Sequence, residues 1–181
     1  SHTISAGGGG PSSTELQCTN GTLVVIQDHF CIFDGVQNNI ARFGAGCSVE
    51  TALKYLLKGG KQFYGFGGIA QQRLGGAIST SLHGHHVTSF SQHVVGIEAV
   101  VANGTVVRIT DTDRLNAWKG SMGRLGIIVS IEFRVFPVQF VEGVSKYGDA
   151  VALQHALVRS DIVGFEAKRF MREDSYLIRT C

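Results

Sequence analysis

What this 181-residue chain has little of narrows its function before any motif is considered. No run of about 18 apolar residues occurs, so no membrane-spanning helix is expected. Charge is sparse: Lys, Arg, Asp and Glu make up 17% of residues against 44% hydrophobic, and the net charge is only +2. That balance suits a globular protein with a real core rather than a disordered chain. Lys and Arg are scattered, with no basic stripe and no interleaved aromatic platform, so the footprint of a nucleic-acid binder is missing. The four cysteines, Cys18, Cys31, Cys47 and Cys181, follow neither a zinc spacing nor a dense disulfide framework, which favours a reducing compartment. Ser1 to Ile4 pass straight into glycines without the basic and apolar regions of a signal peptide. A mature N-terminus left by cleavage would read the same way.

Proline is rare and glycine abundant, 2 residues against 24. The glycines cluster at Gly7 to Gly10, Gly65 to Gly68, Gly75 with Gly76, and Gly120 to Gly126. Without a Cβ there is neither a steric wall nor a bar to positive φ, so such clusters let backbone approach a ligand closely.

Many short strands and few helices are expected. Leu23 to Ile26 and Asn39 to Phe43 read as strands around turns at Asn20-Gly21 and Asp34-Gly35. Ser48 is placed to cap a helix over Val49 to Leu57, with Val49, Ala52, Leu53, Leu56 and Leu57 inward and Gly59-Gly60 as the stop. Val94 to Ile109 reads as a hairpin about a two-residue Asn103-Gly104 turn, followed by a short helix over Asp113 to Lys119. Val129, Ile131, Phe133 and Val135 alternate with polar residues, the period of a strand with one buried face, closed by Pro137. Beyond it, Asp149 to Val158 reads as a helix, and Val163 to Phe170 and Tyr176 to Thr180 as strands.

Two motifs carry chemistry. In the first, Ile4-Ser5-Ala6 runs into Gly7, Gly8, Gly9 and Gly10, then Pro11, Ser12 and Ser13. Successive backbone N–H groups in such a turn form a nest for an anion, and a pyrophosphate fits one; a flexible glycine linker is the alternative. The second runs from Gly65 to Gly84, small and apolar yet dotted with hydroxyls, which suits backbone lying along a large planar ligand with phosphate at one end. A plain glycine-rich loop between strands is the alternative there.

Gly68-Ile69-Ala70-Gln71-Gln72, then Gly75-Gly76-Ala77-Ile78-Ser79-Thr80 and His83-Gly84, resembles the flavin-binding signature of the aldonolactone and alditol oxidases, a group within the vanillyl-alcohol oxidase superfamily. The hairpin through Asn103-Gly104, the stretch Gly120 to Ile128 and the strand ending at Pro137 follow in the family's order, so about three quarters of the chain is covered. The resemblance implies FAD as cofactor, with Gly7, Gly8, Gly9, Gly10, Pro11 and Ser12 at the pyrophosphate. It further places Gly68, Ile69, Gly75, Gly76, Ala77, Ser79, Thr80, His83 and Gly84 from the phosphates to the isoalloxazine, and Gly126, Ile127 and Ile128 on the adenosine portion; Gly76, Ser79 and Gly84 are the strongest expectations. Many relatives carry a flavin-linking histidine where this chain has Pro11, so a non-covalent FAD is expected.

The implied fold class is α+β. Residues 1–137 are expected to form a PCMH-type FAD-binding domain, comprising its second, larger subdomain and the pyrophosphate loop and lacking the family's opening βαβ unit. Residues 138–181 are expected to begin an α+β substrate (cap) domain that is cut short. The implied function is hydride transfer from a CH–OH group of a sugar lactone or polyol to flavin N5, with oxygen or another acceptor closing the cycle. A flavin-dependent epimerase-type oxidase acting on a lipid-linked sugar and a non-catalytic flavoprotein-like component are the alternatives. The expected partners are the small sugar or polyol and the remainder of the polypeptide, or other chains, completing the fold.

His83, His85, His86 and His93 suggest metal ligands, but no carboxylate or cysteine completes a set, and no metal is expected. Asp111 and Asp113 read as a solvated turn and helix cap, and Trp118 and Phe133 as core. No general base is assigned.

Overall fold

The computed structural model describes residues 3–10, 15, 18–84, 86, 88–140, 142–161, 165–169 and 176–180. Its first half comprises β1 (Ile4–Gly7), β2 (Thr22–Val25), β3 (Phe33–Gln37), β4 (Ile40–Gly44), α1 (Val49–Lys58), β5 (Lys61–Gln62) and α2 (Leu74–Ser79). The rest comprises β6 (Val94–Val100), β7 (Val106–Ile109), α3 (Thr112–Trp118), β8 (Ile127–Arg134), β9 (Phe136–Pro137), β10 (Val144–Gly148), α4 (Ala150–Leu157), β11 (Phe165–Arg169) and β12 (Tyr176–Thr180). A five-stranded antiparallel sheet ordered β3-β4-β8-β6-β7 is the centre. β1 and β2 form a separate parallel pair, β5 joins β9, and β10-β12-β11 make a second antiparallel sheet carrying α4.

β8 is the spine of the central sheet, pairing with β4 on one side and β6 on the other. Ile131, Phe133 and Val135 point into the core as their alternation requires. Val129 does not: the register skips it between the pairs Glu98–Ser130 and Ala99–Ile128, and Ile128 takes the inward face. One extra residue in a strand reverses the faces beyond it, which periodicity alone does not anticipate. The core is aromatic. Phe63 lies 5.9 Å from Phe43, 5.2 Å from Phe90 and 5.0 Å from Phe133, all ring centroid distances.

The caps form as the sequence suggests. Ser48 accepts the Thr51 N–H and starts α1, and Asp111 accepts the Arg114 N–H and starts α3. Two turns differ. Between β3 and β4 the reversal is at Asn38 and Asn39, with φ of 51° and 60°, because asparagine tolerates the left-handed region and two such residues match the strand twist. Gly35, expected in a turn, sits in β3 at φ 93° beside an irregularity in register. The β6–β7 connection is longer than two residues, closed by the Gly104 N–H on Val101 O, and only Gly104 of the expected pair has positive φ, at 82°. Leu57, expected inward, is 52% exposed at the last turn of α1.

The aromatic cluster sets the stability of the domain. Replacing Phe63, 2% exposed, by alanine removes the ring that joins three others. A loss of about 3–5 kcal/mol is expected from urea unfolding, and a loss below about 1 kcal/mol would mean the cluster is not the core.

Candidate flavin cleft

Three of the glycine-bearing segments converge on one cleft of about 440 Å³, within the range of small-molecule sites. The first wall is the loop leaving β1. The Ile26 N–H donates to Gly7 O at 2.7 Å and the Gln27 side-chain amide to Gly8 O at 3.5 Å, so the loop is tied to the segment after β2. Gly10 turns it at φ 68°.

α2 forms the second wall. Its first N–H groups are already taken, Leu74 by Cys47 O at 2.8 Å and Gly75 by Ala45 O at 2.9 Å. A Cβ on Gly75 would meet the Ala45 Cβ at 3.0 Å, so glycine here lets the helix lie on the turn after β4. A Cβ on Gly76 would meet nothing within 4 Å. The third wall is the start of β8, where Gly126 has φ 146° and a Cβ would lie 2.4 Å from Val100 O. Met122 lines the same side, its N–H on Ser79 O at 2.9 Å.

Polar side chains are few in this cleft. Arg73, 16% exposed, donates from Nη1 to the Asp28 carboxylate and to Gly46 O. Its Nε and the neighbouring Gln72 Oε1 are buried without hydrogen-bond partners among the described residues. An unpaired buried donor or acceptor costs about 1–3 kcal/mol, so these two are a polar demand that the protein does not meet itself.

Of the residues implied by the resemblance, Gly7, Gly8, Gly9, Gly10, Gly75, Gly76, Ala77, Ser79, Thr80, Gly126, Ile127 and Ile128 line the cleft. Pro11 and Ser12 lie outside the described residues. Gly68, Ile69, His83 and Gly84 are not among its lining residues. Gly84 has a packing reason to be glycine, since a Cβ would stand 2.0 Å from Phe66 O. Ile26, Ala45, Gln72, Arg73 and Met122 line it without having been singled out. For Arg73 a signal existed: it is the one cation within the glycine-rich stretch from Gly65 to Gly84.

The histidines assemble elsewhere. Thr88 Oγ1 bridges His86 Nδ1 at 2.7 Å and His93 Nε2 at 2.9 Å, with Tyr64 stacked on His86 and Phe136 edge-on to His93. The Thr88 N–H also donates to His86 Nδ1 at 3.1 Å. Burial pushes the His93 pKa down, reinforced by His86, Arg134 and Lys119. Among the described residues no three His, Cys, Asp or Glu side chains are grouped to hold a metal. His85 lies outside the described residues.

Cys31 and Cys47 form a disulfide behind the cleft. The pairing was not legible from spacing, because the fold and not a motif brings the loop after β2 to the start of α1.

Residues 1–110 match the model of an FAD binding domain. The chain belongs to that family. A long-chain alcohol oxidase from an uncultured marine euryarchaeote is 34% identical over 100 residues, covering 52% of this chain and 21% of that protein. D-arabinono-1,4-lactone oxidase of Debaryomyces hansenii is 30% identical over 98 residues, covering 51% and 18%. The matched part is thus about a fifth of each relative's length. Among solved structures, alkyldihydroxyacetonephosphate synthase superposes with a TM-score of 0.83 at 18% identity, over 98% of this chain and 42% of that one, a likeness of fold. The fold is the α+β, PCMH-type FAD-binding fold.

The cleft suits FAD on its own terms. Walls rich in glycine leave room for a flat ligand, the lining residues Ile26 and Ile128 are apolar, and the buried Arg73 Nε and Gln72 Oε1, without partners among the described residues, are of the kind that suits an anion and a donor. Replacing Gly76 with valine is expected to leave the melting temperature of flavin-free protein within a few degrees while abolishing FAD retention on gel filtration. Retained flavin would place the cofactor elsewhere. A second expectation concerns His93. Because its folded pKa is lowered, its contribution to stability is complete above the free value of 6.5 and is lost as pH falls through the folded value. Melting temperature should decline on acidification through that window, and His93→Gln should flatten the decline.

Proposed function

We propose that this chain carries the FAD-holding domain of an oxidoreductase that removes a hydride from a CH–OH carbon of a sugar lactone or polyol. Bound FAD would supply the two-electron acceptor for that chemistry, with oxygen or another acceptor restoring it. The chain's part is to bind and orient. In this reading Gly7 to Gly10 enclose the pyrophosphate, Gly76, Ser79 and Thr80 lie along the ribityl side, and Gly126 to Ile128 flank the adenosine. Pro11 offers no nucleophile, so the cofactor is dissociable. Residues 1–137 belong to this domain, and residues 138–181 to the substrate domain.

The observation that carries the reading is the convergence of three glycine-bearing walls on a cleft with an unmet demand for polar partners. The similarity to a lactone oxidase points to the substrate class.

The test is an absorption spectrum of the whole protein, before and after acid precipitation, followed by anaerobic addition of aldonolactones and polyols. Flavin bands that pass into the supernatant, and bleach with one of those compounds, are expected. Flavin left in the pellet sinks the dissociable cofactor. Bleaching only by a lipid-linked sugar moves the substrate to that class, and a protein that takes up no flavin is a structural component.

A further inference from the structure

Arg73 occupies an unusual position. It immediately precedes α2 and is the cleft's only lining cation among the described residues. Its stem lies under the glycine loop, for a Cβ on Gly8 would meet Arg73 Cβ and Cγ at 3.2 Å each. The next donor along that stem, Nε, is buried and unpaired. A guanidinium has five N–H donors. Here only Nη1 is engaged, on Asp28 and on Gly46 O at 3.0 Å, and among the described residues Nη2 and Nε make no hydrogen bond. The side chain is therefore held through Nη1, in part by an aspartate that is itself 80% exposed, while among the described residues Nε is buried beside the loop without a partner.

We infer that Arg73 is the charged anchor for the diphosphate of the bound dinucleotide, with Asp28 as the carboxylate that holds the guanidinium in place and must share it with the diphosphate. The inference rests on the reading that the cleft holds FAD. It adds a full charge to a site otherwise made of backbone dipoles. Guanidinium and phosphate meet through paired N–H···O bonds, and a cation shielded from water on one side acts on an anion more strongly than a surface one. The unmet Nε is satisfied in the bound state, and the loop bearing Gly8 is the element that adjusts around it.

The experiment measures binding without turnover. The whole protein is stripped of flavin and titrated by calorimetry with FAD, with ADP, which carries the diphosphate, and with riboflavin, which lacks it. Arg73→Met keeps the stem and removes the charge. It is expected to weaken ADP and FAD by about ten- to a hundredfold at low salt, the deficit shrinking as salt rises. Riboflavin should be unchanged within about twofold, and Arg73→Lys should recover part of the loss. Asp28→Asn keeps a side-chain oxygen to accept the Nη1 hydrogen bond and lifts the competing charge, so ADP should bind several-fold tighter at low salt when Arg73 is present and no tighter when Arg73→Met is added. Wild-type affinity for ADP in Arg73→Met, or no tightening in Asp28→Asn, overturns the inference while leaving FAD in the cleft. Wild-type protein that binds neither FAD nor ADP instead overturns the reading beneath it. Should Arg73→Met not fold, the Asp28→Asn titration decides alone.

Discussion

Two backbone hydrogen bonds, from Leu74 to Cys47 O and from Gly75 to Ala45 O, hold the arrangement on which the cleft depends. α2 has 6 residues, two of them glycine, and cannot persist alone: each glycine costs about 1 kcal/mol relative to alanine, and a helix this short never recovers its nucleation cost. It forms because the turn after β4 takes its first N–H groups and because Leu74, Ala77 and Ile78 are buried against the sheet. The buried face is thereby committed to the core. The remaining face, with Gly76 and Thr80, is left toward the cleft without side chains large enough to close it.

The same turn is tied from behind. The Cys31–Cys47 disulfide closes a loop with a sequence separation of 16, a constraint on the unfolded chain of about 3 kcal/mol in the entropic account. Close backbone packing accompanies it, since a Cβ on Gly44 would stand 1.9 Å from Phe30 O and one on Gly46 2.0 Å from Gln27 O. The segment that supplies Asp28 to Arg73 is thus anchored to the segment that receives α2. Position at the cleft is a property of β4, the loop before β3 and α2 together, and not of any one motif.

How far the sequence speaks follows from which forces act locally. Ser48 and Asp111 were legible because a cap is a contact over three residues, and β8 because its apolar period holds from Ile131 to Val135, beyond the skipped Val129. The Asn38-Asn39 turn was hidden: Asp34-Gly35 looks equally turn-like, and only the pairing of Gln37 with Ile40 decides between them. The disulfide and the Arg73–Asp28 pair were hidden for a stronger reason, as each joins residues that only the long-range fold brings together. Helix α2 was missed because its composition favours a loop, and tertiary hydrogen bonds outweigh that preference.

Glycine shows where motif reading and physical reading part. Gly76 and Gly84 belong to one signature, yet the space around them differs: open at Gly76, filled by Phe66 O at 2.0 Å for Gly84. A Cβ at the first would face the open cleft, and at the second it would collide with the chain itself. Gly65, at φ 71° with Thr88 O 2.2 Å from a Cβ, belongs with the second kind. A glycine-rich signature therefore mixes residues that border an open cleft with residues that let two loops of the same chain touch. The cleft walls contain the second kind as well: a Cβ on Gly75 would stand 3.0 Å from Ala45 Cβ and one on Gly126 2.4 Å from Val100 O, so close packing there fixes how α2 and the start of β8 lie.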